Sequence, residues 1–150
     1  MKLLSEASES GLRAVIWMAQ QPSVLQKVKD IAEGIQAAPG YLVKVLQELA
    51  RCGILSARRG SQGGFLLLRK PEGITVLEVI SAIDPIERIK VCPLKLETHS
   101  KHLCPLHQCV DESLAIIEQK FRSTTIADLL KTNGQPKSHC KALCRTHRSS

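Results

Sequence analysis

The run Arg58-Arg59-Gly60-Ser61-Gln62-Gly63-Gly64-Phe65 constrains this chain most. It lies between two apolar stretches, Ile54-Leu55 and Phe65-Leu66-Leu67-Leu68. Short strands flanking a glycine-rich tip predict a β-hairpin that projects from the body. Glycine opens backbone conformations closed to other residues and lets the tip approach a flat or grooved partner. Two adjacent arginines there suit a phosphate backbone or a narrow groove. An ordinary surface hairpin with solvated arginines fits the same run, so the preceding segment decides.

That segment carries three helical stripes. Leu12, Val15, Ile16 and Ala19 fall at i, i+3, i+4 and i+7, and the stripe ends near Gln20-Gln21-Pro22. Val28, Ile31, Ala32 and Ile35 repeat it. Ala37-Ala38-Pro39-Gly40 then breaks the pattern. Pro39 suits the first turn of a new helix, where its missing N–H costs nothing. Leu42, Val45, Leu46 and Leu49 form the inward face of that third helix, with Gly53 as its C-terminal cap. Tyr41, Lys44 and Glu48 share another, open face.

Helix, turn, helix and basic hairpin is the winged-helix plan. Residues near the N-terminal end of its last helix reach base edges in the major groove. The candidate DNA contacts are Tyr41, Lys44 and Gln47 on the helix, and Arg58, Arg59, Ser61 and Gln62 on the wing. Lys44 reads as a phosphate contact, which positions without specifying sequence. Tyr41 has local packing as its alternative reading, and Gln47 has solvent.

Charge placement agrees. The formal net charge is +7, and residues 51–70 contain five Lys/Arg and no acid. A basic surface centred on the hairpin points to an anionic polymer. No apolar run is long enough to span a membrane. Glu6 and Glu9 interrupt any signal-peptide core, which points to a cytoplasmic protein. In a reducing compartment the six cysteines read as metal or redox groups rather than disulfides.

Beyond the hairpin, Pro71-Glu72-Gly73 predicts a turn. Thr75 reads as the N-cap of a helix carrying Val76, Leu77, Val79, Ile80 and Ile83, ended by Asp84-Pro85. Residues 86–108 read as irregular. A long helix is expected from about Val110, with Val110, Leu114, Ile117 and Phe121 at i, i+4, i+7 and i+11. That stripe suits a second copy or a helix of the same chain. Thr125–Leu130 reads as a short helix. The domain reading is a winged helix-turn-helix over 1–84, a cysteine-rich cluster-binding loop over 85–109, a dimerisation helix with its short follower over 110–131, and a basic mobile tail over 132–150.

Cys92, Cys104 and Cys109 fall in or beside the irregular segment as Cys-x11-Cys-x4-Cys. Three thiols in one loop can converge on an iron–sulfur cluster, whose usual ligands are cysteine thiolates. Zinc held through Cys and His fits as well, with His99, His102 and His107 at hand. Free redox-active thiols are a third reading. Cys140 and Cys144, flanked by His139 and His147, form a tail pair that could hold a transition metal or bind one adventitiously. Cys52, at the end of an apolar helix, reads as a small core residue.

Four pieces, in order and at these spacings, resemble one family. They are Met1-Lys2-Leu3, Gly11-Leu12-Arg13-Ala14, the segment from Gly40 to Leu46, and the segment from Arg59 to Leu67. Over roughly residues 1–130 the chain is similar to the IscR/NsrR-type (Rrf) family of winged-helix bacterial transcription regulators. The resemblance implies a mainly α fold with a hairpin wing. It implies a homodimer in which the long helix crosses its twin, and a palindromic operator on double-stranded DNA. It also implies a repressor whose DNA affinity is set by a [2Fe-2S] or [4Fe-4S] cluster sensing redox, nitric oxide or iron–sulfur status.

Cluster-binding members place three cysteines in this loop, which implies Cys92, Cys104 and Cys109 as metal ligands. The first interval is longer than in the best-known members, so the cluster type stays open. An acidic residue just before the first-helix motif can ligate the partner subunit's cluster in the family, which implies Glu9 as the fourth ligand. His107 is the alternative, because Cys104-Pro105-Leu106-His107 is similar to a ligating segment of other members. The rival function is a zinc-stabilised adaptor or a thiol-based redox protein. No Ser/His/Asp constellation, phosphate-cradling glycine loop or paired-carboxylate motif supports catalysis, so the chain is read as a regulator and not an enzyme.

Overall fold

A computed structural model of the chain describes residues 3–93 and 102–131. Three helices come first: α1 (Glu6–Ala19), α2 (Val28–Ile35) and α3 (Pro39–Arg51). A hairpin follows, β1 (Leu55–Arg58) and β2 (Gly64–Leu67), then α4 (Val76–Ile83), α5 (Pro105–Ser123) and α6 (Ile126–Leu130).

Local chemistry sets the boundaries. The Ser5 side chain caps α1 by accepting from the Ser8 N–H. Helix α2 stops where Gln36 takes the left-handed conformation, φ 57°. Pro39 stands in the first turn of α3, as its fixed φ favours. Gly53, at φ +74°, turns the chain out of α3 toward the wing.

The expected apolar faces point inward. Ala14 and Val15 of α1, Ile31 and Ile35 of α2, Leu42, Leu46 and Leu49 of α3, and Val79 of α4 are fully buried in one cluster. Each buried Leu, Ile or Val is worth about 1.5–3 kcal/mol, which fixes the helices around α1. Arg13 of α1 donates to the Ile35 carbonyl at the end of α2. Gly34 lets α2 close on the Trp17 indole, since any Cβ there would overlap the ring.

The wing is an antiparallel hairpin in the register Leu55↔Leu67, Ser56↔Leu66, Ala57↔Phe65 and Arg58↔Gly64. It is rooted on the chain before α2. The Gln26 N–H donates to the Phe65 carbonyl, and the Phe65 N–H donates to the Gln26 carbonyl, each at 2.8 Å. Gln26 thus adds a third edge to the sheet, a bridge that the sequence did not announce.

A 3₁₀ turn over Pro71–Gly73 leads to a capping box on α4. The Glu78 carboxylate accepts from the Thr75 N–H at 2.8 Å, and Thr75 Oγ1 accepts from the Glu78 N–H at 3.1 Å. Helix α6 repeats this device with Thr125 and Asp128. The two caps also meet. Thr75 and Thr125 form an antiparallel bridge, with the Val76 N–H donating to the Thr124 carbonyl (2.9 Å) and the Ile126 N–H to the Ile74 carbonyl (2.8 Å). Ile126 thereby joins the core.

Several expectations need correction. Helix α5 starts at Pro105, not near Val110, because extended Cys104 is its N-cap and Pro105 takes the first turn. Residues 105–108 are therefore helical rather than irregular. Cys52 is exposed rather than a core residue. It caps α3 beyond the inward stripe, with Sγ 3.8 Å from the Ala82 carbonyl oxygen. His99 and the tail beyond Lys131, with His139, Cys140, Cys144 and His147, lie outside the described residues. Among the described residues no helix is long and apolar enough to cross a membrane.

Candidate nucleic-acid interface and metal corner

Helix α3 turns Tyr41, Lys44 and Gln47 outward; all three are exposed. Tyr41 is 40% exposed, so it is not packed away locally. The N-terminus of α3 has no side-chain cap and no acid in its first turn. Its positive dipole end is therefore not neutralised by a side chain of that turn.

The wing tip presents Arg58, Arg59, Ser61 and Gln62, all exposed. Gly60, at φ +101°, makes the turn, and the Gly63 N–H closes it on the Gly60 carbonyl at 2.9 Å. The five cations of residues 51–70 are not equivalent. Arg51 is held by Glu48 (Nε–Oε2 2.9 Å), and that hydrogen bond keeps its pKa above the ordinary value. Arg69 donates to Glu78 at 2.8 Å and to the Gly73 carbonyl at 2.7 Å. Among the described residues no ion pair engages Arg58, Arg59 or Lys70. These three are the cations left for an external anion.

A second constellation lies at the start of α5. Cys92 and Cys104 are buried, at 2% and 8% exposure. With His107 they bring their ligand atoms within 4.8 Å of one another. His107 Nδ1 lies 3.0 Å from Cys104 Sγ and 3.5 Å from Cys92 Sγ. Helix geometry explains one half of this. Cys104 is the N-cap of α5 and His107 stands three residues on, the same relation that lets capping-box side chains meet.

An ion pair stands beside the other half. Arg88, four residues before Cys92, makes a two-point contact with Asp111 of α5, at 2.7 and 2.6 Å. The Arg88 guanidinium holds the Asp111 carboxyl below its ordinary range, helped by the Ile89 N–H and opposed by desolvation.

The structure brings together Cys92, Cys104 and His107, and leaves Cys109 and Glu9 elsewhere. Cys109 follows His107 by two residues, about 200° around the helix, and is exposed. Glu9 is exposed in the first turn of α1 and lines a cleft with Arg13 and Tyr41. His102 is also exposed. The group of His107 was legible only to a reading that starts the helix at Pro105. Two buried thiols and a half-buried imidazole fit an iron–sulfur centre or zinc. Three donors leave one position of a tetrahedral ion to be filled.

Helix α5 itself has no fully buried residue. Leu114, Ile117 and Phe121 are half-buried, and Val110 is 40% exposed.

Comparison with known proteins places this geometry in context. A family model described as Rrf2, iron-dependent transcriptional regulator, matches residues 4–132. A relative from Aquifex aeolicus (strain VF5), whose name assigns it to the HTH-type transcriptional regulators, is 28% identical over 131 residues, covering 85% of this chain and 91% of the relative. The solved structure of T. potens IscR superposes with a TM-score of 0.70 at 24% identity, covering 91% of this chain and 94% of that one. CymR (YrzC), the global cysteine regulator of B. subtilis, superposes with a TM-score of 0.69 at 23% identity, covering 86% and 96%. These likenesses establish the winged-helix fold.

Proposed function

The chain belongs to the Rrf2 family of transcriptional regulators, and from that premise we propose that it is a homodimeric repressor whose grip on DNA is governed by an iron–sulfur cluster. The observation that carries the reading is the convergence of Cys92, Cys104 and His107 at the first turn of α5. These residues are the proposed ligands. Cys109 and Glu9 of the partner subunit remain the candidates for a further position. When bound, a cluster supplies a centre that exchanges electrons and reacts with small oxidants. The chain's own part is to bind it through two thiolates and an imidazole and to exclude water from it.

The same helix carries the stripe Val110, Leu114, Ile117 and Phe121, which a second copy would cover. Metal state and dimer geometry therefore act on one element. In a twofold dimer, each α3 would enter a major groove at one half of a palindromic operator, with Tyr41, Lys44 and Gln47 toward the bases and backbone. Arg58 and Arg59 would hold phosphate or the adjacent groove, with Ser61 and Gln62 at the tip.

Zinc is the second reading, favoured by the compactness of the group. Zinc bonds of about 2.3 Å to sulfur and 2.0–2.1 Å to nitrogen put donors of one ion roughly 4 Å apart. A single ion would take these side chains nearly as they stand, whereas a cluster needs them to open. The family's description as iron-dependent supports iron.

Anaerobic purification followed by absorption spectroscopy and iron, sulfide and zinc analysis separates the two. Iron and sulfide with a visible chromophore, lost in Cys92→Ala, Cys104→Ala and His107→Ala, is the expected result. A colourless protein with stoichiometric zinc refutes the cluster. A chromophore that survives His107→Ala but not Cys109→Ala or Glu9→Ala transfers the ligand role.

A further inference from the structure

The irregular segment after α4 is clasped to α5 by one carboxylate. Asp111 Oδ1 accepts from Arg88 Nε at 2.7 Å and from the Ile89 backbone N–H at 2.8 Å. Its Oδ2 accepts from Arg88 Nη2 at 2.6 Å. Arg88 Nη1 also stands 3.8 Å from Glu118, which Arg122 grips from the following turn. The Asp111 side chain is only 17% exposed.

Position gives these bonds a role. Asp111 lies one helical turn after His107, and Ile89 lies three residues before Cys92. A two-point guanidinium–carboxylate pair fixes orientation as well as distance. The main-chain bond from Ile89 fixes the register of the strap along the helix. The Arg122–Glu118 pair joins residues of one helix, and the Arg88–Glu118 contact, at 3.8 Å, is longer and single-point. The Arg88–Asp111 contact spans 23 residues and joins the two segments that supply the metal-corner side chains.

We infer that the Arg88–Asp111 clasp is a positioning element that brings Cys92 to Cys104 and His107 before any metal arrives. The inference rests on the corner proposed above as the metal site, but not on which metal it takes. Groups bonded directly to a metal ligand typically change affinity by about 10–100-fold when removed; the clasp stands one step further out, so the lower end of that range is expected. The clasp acts on the metal-free chain too, so it has a readout that needs no metal.

That readout is the dithiol–disulfide equilibrium of Cys92 and Cys104 in the full-length, metal-free chain. One glutathione disulfide takes up two electrons from the two thiols, forming the Cys92–Cys104 bond and two glutathione thiols. Mass spectrometry of the linked peptide gives the effective concentration of one thiol at the other. Asp111→Ala should lower it about tenfold, and Asp111→Asn, which keeps an acceptor for Ile89, should lower it less. Arg88→Gln repeats the test from the strap side while leaving the α5 sequence intact, and circular dichroism checks that α5 persists. In protein loaded with iron and sulfide, Asp111→Ala should release iron to a chelator about tenfold faster. An unchanged Cys92–Cys104 equilibrium in Asp111→Ala and Arg88→Gln overturns the inference, whatever the metal does. A lowered equilibrium in the variants, beside a parent that takes up no metal, keeps the clasp and removes the cluster reading instead.

Discussion

Replacing Arg58 and Arg59 together with alanine tests the wing most directly. Both side chains are exposed and neither is ion-paired among the described residues. Their truncation leaves the core untouched, and stability should move by no more than about 0.5 kcal/mol. Each phosphate neutralised on B-DNA contributes about 0.9 to the slope of log affinity against log salt. Two arginines per wing give about 1.8, and the two wings of a dimer about 3.6. Between 50 and 200 mM salt, a fourfold change, that difference amounts to roughly a 150-fold smaller loss of affinity for the variant. Fluorescence anisotropy on a specific and a random duplex, titrated with salt, measures it. Both duplexes should lose affinity alike, because phosphate contacts carry no sequence information. A variant with the parent's salt slope would falsify the assignment of this hairpin as a DNA-gripping wing.

Three further outcomes follow from the packing. Leu114→Glu with Ile117→Glu should give monomers in sedimentation and poor binding to a palindrome; a dimeric variant refutes α5 as the dimer helix. Gly34→Ala gains about 1 kcal/mol of helix propensity but drives a methyl into the Trp17 indole, an overpacking cost of about 1–3 kcal/mol, so the urea midpoint should fall rather than rise. Asp128 is held down to about 2, first by the Thr125 hydroxyl, then by the Thr125 N–H and Lys131. Its depressed value means that its contribution is complete above the ordinary carboxylate value of about 4 and is lost as pH falls through about 2. Exchange protection of the Ile126 N–H, which donates to Ile74, should therefore persist at pH 4 and decline toward pH 2. Thr125→Ala should cost about 1 kcal/mol and remove that acid step.

The helix-turn-helix was legible because burial and periodicity agree there. Leu42, Val45, Leu46 and Leu49 are spaced as a stripe and are buried as one. Thr75 and its helix were legible for the same reason, since a cap is a local event. The start of α5 was missed although Pro105 carries the same signal as Pro39, because the cysteines and histidines around it drew the segment into one irregular loop. The start of the helix also decides which side chains share a face. Counted along an irregular loop, Cys104 and Cys109 are near neighbours; counted around a helix, His107 sides with Cys104 and Cys109 does not. Cys52 failed for a related reason, since it lies one residue past the last helical turn, where the stripe no longer predicts burial. Long-range pairings such as Gln26 with Phe65 and Thr75 with Thr125 have no signature in spacing at all.

The Thr75–Thr125 bridge ties α4 and α5 together at the base of the loop that they form. From Thr75 the chain runs through α4, which packs into the core, and comes back along α5 to Thr125, beside the point where it set out. On the other side of the same mount, only the 3₁₀ turn and a short connector separate Ile74 from β2 of the wing. The C-terminal end of α5 and the root of the hairpin therefore share one mount.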